Sequence, residues 1–377
     1  MRDKKKNTSL VILLFISFIF AVKYINKATD YALLISVFII LLQFLIYKYE
    51  TKILKSTKWI SVFCYSTILL LFIVVILTRF KIPVETLNID RYSVITSFID
   101  EALKGNYPYY AQSVHGNYPG PMPFYFLIAF PFYLIGELCL LSFFGFGLFI
   151  FLVSKKTEEY GHIKFFLFYI LTSFYVYWEI ATRSNIFTIS VLIMLSMNYY
   201  INLNKESKLK LYLFALIAGL LLSTRSVYII VYIVFFFSDI LNKKLNFKQL
   251  LIIGCFVFIG FSLTFLPILI FFRTEFFIMN PFTIQSSFIV PQIYVLAFLL
   301  VTTLLTFTVK TNSDKFFISG LSLFISIFIY ACYAVFDNGL HAAIFGNSID
   351  ISYFIFCVPF LLYFLLIDKP TVNKKLT

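Results

Sequence analysis

The sequence predicts an all-α polytopic membrane protein with about twelve transmembrane helices and one large polar loop after the third. Three observations predict it. Hydrophobic residues make up 61% of the 377 and charged residues only 13%, against roughly half and about a quarter in a soluble domain. No water-soluble fold has interior enough for that much apolar surface. The apolar residues come in long runs without alternation; lipid satisfies no backbone group, so only helices or closed barrels cross it, and runs without alternation are the helical signature. Finally, the polar residues gather in one long stretch, 80–122. The mean hydropathy of +0.92 fits the same class. Residues 1–377 read as a single integral-membrane domain, without internal repeats, a low-complexity tail or a soluble domain at either end.

In chain order, the N-terminal "MRDKKKNTSLVILLFISFIFAV" pairs a basic start with an apolar core and lacks a small-x-small cleavage site, which predicts a retained signal anchor. Apolar spans follow near 10–25, 31–47, 59–78, 124–153, 164–178, 184–201, 210–223, 227–238, 249–271, 289–309, 315–335 and 351–367. The run 124–153 is long for one span and contains Pro131, Gly136 and Glu137. Charge decides how to count it. Alternating twelve spans from a cytoplasmic N-terminus puts 22 of the 31 Lys and Arg residues inside and 9 outside, as the positive-inside rule requires. Splitting 124–153 into two full crossings would move 14 of those inside charges to the other side. One net crossing is therefore expected, with 124–136 as an interfacial or re-entrant piece. Both termini are then cytoplasmic and the protein sits in a plasma (inner) membrane. The richness in Lys, Asn, Ile and Phe points to an AT-rich bacterial genome. Cys64, Cys139, Cys255, Cys332 and Cys357 lie inside apolar runs with no CxxC spacing and read as packing residues.

Of six arginines, five face outward in this topology: Arg79, Arg91, Arg183, Arg225 and Arg273. Snorkelling at helix ends suits Arg79 and Arg273. Arg183 in "EIATRSN" and Arg225 in "LLSTRSV" sit instead in short hairpins between apolar spans, beside hydroxyl residues. A guanidinium grips phosphate oxygens as a planar fork, and an ionisable group at membrane depth is a functional candidate by default.

Within the loop 80–122, "RYSVITSFIDEALKG" has helical periodicity. Tyr92, Ile95, Ile99 and Leu103 share one face, and Gly105 supplies a stop. Such a helix is expected to lie on the membrane surface, apolar face down. Asp90 directly precedes it. It reads both as an N-cap and as a general base, compatible roles because a cap position holds the carboxylate in place. Asp100 and Glu101 are adjacent and point in different directions; they read as solvated groups first and as a part of the acceptor site second. "GNYPYY" and "GNYPGPMPFYF" repeat an Asn-Tyr-Pro unit. Their tyrosines, with His115 between them, form either an aromatic belt at headgroup level or a sugar-stacking wall.

The acidic residue in the first large outer loop, the "RY" after it, the helix ending "ALKGNYPYY" and the return through "YPGPMPFYFLIAFPFYLIGE" together resemble the GT-C superfamily of integral-membrane glycosyltransferases. Those enzymes take sugars from polyprenyl-phosphate carriers; the bacterial aminoarabinose and mannosyl transferases and the eukaryotic protein O-mannosyltransferases belong among them. The resemblance covers about 50 residues plus the topology, which makes a GT-C-like fold the expectation. It implies that Asp90 is the catalytic base. Pro119, Pro121 and Pro123 form a looser version of the family's paired prolines. The chain departs from the pattern in reading "NIDRY" where an acidic pair is usual, and in placing more than one span before the loop where one is usual. Without a second nearby carboxylate, no metal is expected, and no cofactor.

The chain carries no Walker loop and no dinucleotide-binding glycine pattern, so a lipid-borne donor is the expectation. The expected function is an inverting transfer of a sugar from a polyprenyl-phosphate carrier to an acceptor hydroxyl of a glycan, lipid or protein. It would take place at the extracytoplasmic face of the bilayer, with no nucleic acid involved. Asp90 takes the acceptor proton; Arg183, Arg225 and Arg91 hold the donor phosphate; Tyr92, Tyr107, Tyr109, His115, Tyr118 and Glu179 line the sugar or acceptor side. The rival from another class is a polyprenyl-linked saccharide flippase or lipid transporter. A polysaccharide polymerase or ligase is a further rival, for which a large outer loop is expected late in the chain; the stretch "FDNGLHAAIFGNSIDIS", with Asp337, His341 and Asp350, reads as a polar connection first and a second acidic site next.

Overall fold

A computed structural model describes residues 2–53, 59–87, 89–155, 162–204, 207–287, 292–346 and 349–367. Among them every regular element is helical. In chain order these are α1 (Arg2–Ile25), α2 (Ala32–Ile53), α3 (Ile60–Lys81), α4 (Arg91–Leu103), α5 (Pro123–Leu134), α6 (Cys139–Lys155), α7 (Ile163–Thr172), α8 (Phe174–Ala181), α9 (Ile186–Asn202), α10 (Lys208–Leu222), α11 (Ile229–Leu241), α12 (Phe247–Phe271), α13 (Arg273–Ile278), α14 (Pro281–Ser287), α15 (Gln292–Thr306), α16 (Asn312–Asn338), α17 (Leu340–Ile344) and α18 (Val358–Ile367). Short 3-10 turns occupy Val84–Thr86, Pro108–Tyr110, Ser226–Tyr228 and Ile351–Cys357.

Among the described residues five helices are long and apolar enough to cross a membrane: α1, α2 up to Glu50, α3, α12 and α16. The number is seven if two bent pairs each count as one span. Other apolar runs fold as shorter helices, among them α9 and Ile351–Ile367, which stand at the lower end of the length that crosses the hydrocarbon. The outer helices are apolar on their exposed faces, with Leu33, Leu34 and Phe38 on α2 and Phe258, Leu266 and Ile270 on α12 open at the surface. Water does not tolerate so much contiguous apolar surface, and lipid does.

The long run 124–153 is two helices, α5 and α6, at 108°. Gly136, with φ +79°, turns the chain, and the Glu137 carboxylate then accepts the Cys139 N–H at the start of α6. The run 164–178 bends by 54° at Ser173. Gln43 of α2 binds this break, donating to Thr172 at 2.8 Å and to Ser17 of α1 at 3.0 Å. Polar side chains act as glue there because apolar faces gain nothing over lipid by meeting one another. Small residues do the same for α10 and α12: a Cβ on Gly219 would lie 2.1 Å from the Val257 carbonyl, and one on Gly260 would lie 2.1 Å from that of Leu216. The core is centred on α9 and α18, which pack on each other and are buried along most of their length.

The loop folds onto one end of this bundle. Its helix α4 runs from Arg91 to Leu103, and Gly105 follows at φ +77°. The sequence laid the helix's apolar face on the membrane. In the structure Ile95, Phe98 and Ile99 are buried against protein, with Phe98 stacked on Phe126 of α5 at 3.6 Å and edge-on to Tyr109 at 5.0 Å. Leu103 alone of the expected face is well exposed.

Candidate functional site

Asp90 occupies the N-cap position of α4, but its side chain caps no backbone group. This corrects the capping role. One carboxylate oxygen, Oδ2, accepts from Asn117 Nδ2 at 2.7 Å and from Ser113 Oγ at 3.2 Å. The other oxygen has no hydrogen bond among the described residues. The turn 113–117 is shaped to deliver those donors. Ser113 N–H donates to the Asn117 carbonyl, the Ser113 hydroxyl accepts from the His115 and Asn117 amides, and Gly116 takes φ +74°. The Val114 amide also donates to Ser93 Oγ in the first turn of α4. The result is a half-buried carboxylate held through one oxygen and open at the other.

Arg91 leads inward from Asp90. It pairs with Asp350, donates to Ser352 Oγ at 3.2 Å and lies over the Tyr353 ring at 5.5 Å. Asp350 accepts the Ser352 amide at 3.0 Å and so starts the 3-10 turn Ile351–Cys357. Arg91, expected as a phosphate ligand, is thus engaged by a carboxylate. Tyr353 stacks on Phe356 at 5.8 Å, and Phe356 lies 5.7 Å below the Arg225 guanidinium, whose other neighbour is Tyr125 at 5.3 Å. Arg225 has no acidic partner among the described residues, and its buried Nε has no hydrogen-bond partner. The proline-rich entry to α5 is fixed beside it. Pro121 and Pro123 have no N–H; the amides that do exist at Met122 and Phe124 donate to the Thr224 and Ser223 carbonyls at 3.1 Å each. These are carbonyls just past the end of α10, where helical partners run out.

The remaining expected residues divide. Arg183 is 2% exposed, with φ 57° in the α8–α9 hairpin. Its Nε donates to Glu137 at 3.4 Å and another N–H to the Ala181 carbonyl at 2.6 Å. It joins the α5–α6 break to the hairpin, so its fork is not presented to a ligand. Glu179 is fully buried and accepts from the Phe187 amide and the Ser184 hydroxyl. It holds an amide in the first turn of α9 that lacks a helical partner and offers no open sugar-binding face. Tyr109 is also fully buried, bonded to the Pro121 carbonyl at 3.2 Å, and Tyr107 is buried with its hydroxyl on the Met279 carbonyl. Burial pushes both phenols up from their ordinary pKa, so they stay protonated donors. Tyr92 is half-buried and shifted the same way, first by burial and then by the field of Glu137. His115 and Tyr118 are exposed on the turn. Arg79 and Arg273 are exposed at helix ends. Asp337 and His341 are exposed and, unlike Asp350, take no part in this cluster.

Sequence reasoning missed Ser113, Asn117, Tyr125, Ser352, Tyr353 and Phe356, and it read Asp350 as a second acidic site, not as the partner of Arg91. The one local signal was the Asn of the second GNYP unit, which the tyrosine beside it overshadowed. Among the described residues no group of three His, Cys, Asp or Glu side chains is placed to hold a metal. Comparison with protein-family models, curated proteins and solved structures finds no match.

Proposed function

We propose that the chain is a membrane glycosyltransferase that moves a sugar from a polyprenyl-phosphate carrier to an acceptor hydroxyl, with inversion, at the extracytoplasmic face. The observation that carries this reading is Asp90, one oxygen fixed by Asn117 and Ser113 and the other open. A general base needs that arrangement: a fixed carboxylate with a free lone pair aimed at the hydroxyl it activates. Arg225, with no counter-ion among the described residues and aromatic rings on two sides, supports the donor end. A phosphate there gains a charged fork in a weakly polar setting, and that attraction strengthens as the leaving phosphate gains charge. Arg183 belongs to the scaffold in this scheme, and Arg91 positions α4 through Asp350.

The topology that goes with this reading has twelve crossings, both termini cytoplasmic, the loop 80–122 outside and α5 as a re-entrant piece. Its supports are the 22-to-9 charge split and the 108° break at Gly136–Glu137. The resemblance of the loop to the GT-C superfamily points the same way.

The second reading is a flippase or lipid transporter, and one observation favours it. Lys315 and Asp239 form a fully buried ion pair, and Tyr200 donates to Asp239 at 2.8 Å. Buried charge in a membrane bundle often marks a coupling-ion path. Asp239 lies in the last turn of α11 and Lys315 in the first turn of α16, where such a pair also ties helix ends together. Proteoliposomes loaded with a polyprenyl-phosphate sugar decide between the readings. Sugar transfer to added acceptor that is lost in Asp90→Asn supports the enzyme. Lipid-linked sugar appearing on the opposite leaflet with no transfer supports the transporter.

A further inference from the structure

The two GNYP units, 105–108 and 116–119, do the same work at opposite ends of α4. Asn117 donates to Asp90 at 2.7 Å, and Asn106 donates to Glu101 at 2.7 Å. In each unit a glycine in the left-handed region turns the chain back toward the helix, Gly105 at φ +77° and Gly116 at φ +74°. One end of α4 is the Asp90 site. The other opens into a cleft of about 380 Å³ lined by Ser97, Asp100, Glu101, Lys104, Tyr110 and Gln112. We propose that this cleft is a second carbohydrate subsite, and that the acceptor is an extended glycan lying along α4 with its reactive end at Asp90. The second half of this proposal rests on the transferase reading.

The lining selects a neutral polyol. Glu101 accepts from Lys104 at 2.8 Å as well as from Asn106, and those bonds hold its carboxyl below the usual range. Asp100 takes the Tyr133 hydroxyl on one oxygen and keeps the other. Gln112 is exposed and brings a donor and an acceptor on one amide. Tyr110 is 45% exposed and braced edge-on against Tyr107 at 4.9 Å, which leaves a ring face for sugar C–H groups. A metal cation is disfavoured because the carboxylate lone pairs are shared with Lys104, Asn106 and Tyr133 and the ammonium sits among them. An anion is disfavoured by the two carboxylates. The volume falls in the ordinary range for small-ligand sites.

Spacing converts the subsite into a statement about substrate. Glu101 lies eleven residues after Asp90, about 16 Å along a helix rising 1.5 Å per residue. A single sugar cannot touch both ends, whereas a chain of several sugars can.

The test is binding, independent of transfer. Purified full-length protein in nanodiscs is titrated, by saturation-transfer NMR, with glucose, galactose and N-acetylglucosamine series from monosaccharide to hexasaccharide. Affinity should rise with length in at least one series. Tyr110→Ala and Gln112→Ala, both at exposed positions where folding is not at stake, should each weaken the longest ligand roughly tenfold, the equivalent of one lost hydrogen bond or stacking contact. Absence of binding in every series, absence of length dependence, or wild-type binding by both variants overturns the proposal. Length-dependent binding in a protein that transfers no sugar overturns the transferase reading and keeps the subsite. Transfer without such binding does the reverse.

Discussion

Replacing Asp90 by Asn separates chemistry from structure. The carboxylate oxygen that accepts from Asn117 and Ser113 becomes an amide oxygen in the same place and keeps both bonds. What those bonds lose is charge assistance, about 1 kcal/mol at a half-buried position. No helix cap is lost, because the side chain makes none. The open oxygen becomes an amide nitrogen that cannot take a proton. A positioned general base contributes about 10²–10⁴-fold, or about 3–5 kcal/mol of barrier. Transfer should therefore fall by about that factor, while expression, thermal stability and donor affinity stay close to wild type. The assay is initial-rate transfer from a radiolabelled polyprenyl-phosphate sugar, with a melting curve on the same preparation. Near wild-type transfer by the Asn variant refutes the assignment of the base. Equal losses of melting temperature and rate refute the separation of roles. Asp90→Ala is the contrast: it leaves Asn117 and Ser113 without their acceptor and should lose stability as well.

Arg225→Ala should weaken donor binding with the fold intact, and Arg225→Lys should restore it only in part because a point charge replaces a fork; wild-type donor affinity in both variants, measured on detergent-solubilised protein, rules out the phosphate role. Asp350→Ala frees Arg91 and should loosen α4 by about 1–2 kcal/mol, a value between those of exposed and buried pairs because Asp350 is 35% exposed; faster hydrogen exchange across residues 91–103 is the readout, and unchanged exchange counts against it. Gly219→Ala should destabilise by about 1–3 kcal/mol, since its Cβ meets the Val257 carbonyl at 2.1 Å. Gly147→Ala, with nothing within 4 Å, should leave melting unchanged. On a background lacking the five native cysteines, Asn106→Cys should label from outside intact cells and Asn373→Cys should not; the opposite result overturns the topology.

Composition and pattern were sufficient for the helical class and the lipid environment, because both depend on local quantities: how apolar a run is and how long it continues. The loop 80–122 and its helix were legible for the same reason. Periodicity marked Ile95 and Ile99, and Gly105 marked the stop. The broken run at 124–153 was foreshadowed by Pro131, Gly136 and Glu137, since each acts on its own stretch of backbone. The choice of partners was not legible. Arg183 and Arg225 look alike in sequence, each beside hydroxyl residues in a hairpin; Glu137 reaches one, and aromatic rings surround the other. Arg91 finds its carboxylate 259 residues away, in a segment that read first as a polar connection and next as a second acidic site. On α4, expected to lie on lipid, Ile95 and Ile99 are buried in protein and Phe98 beside them stacks on Phe126. In a chain this apolar, most helix faces suit lipid and protein equally well, so hydrophobicity does not say which face meets which. A few close glycine crossings and buried polar contacts make that choice. Their energies arise only when distant segments arrive together, and so the arrangement around Asp90 belongs to the tertiary structure.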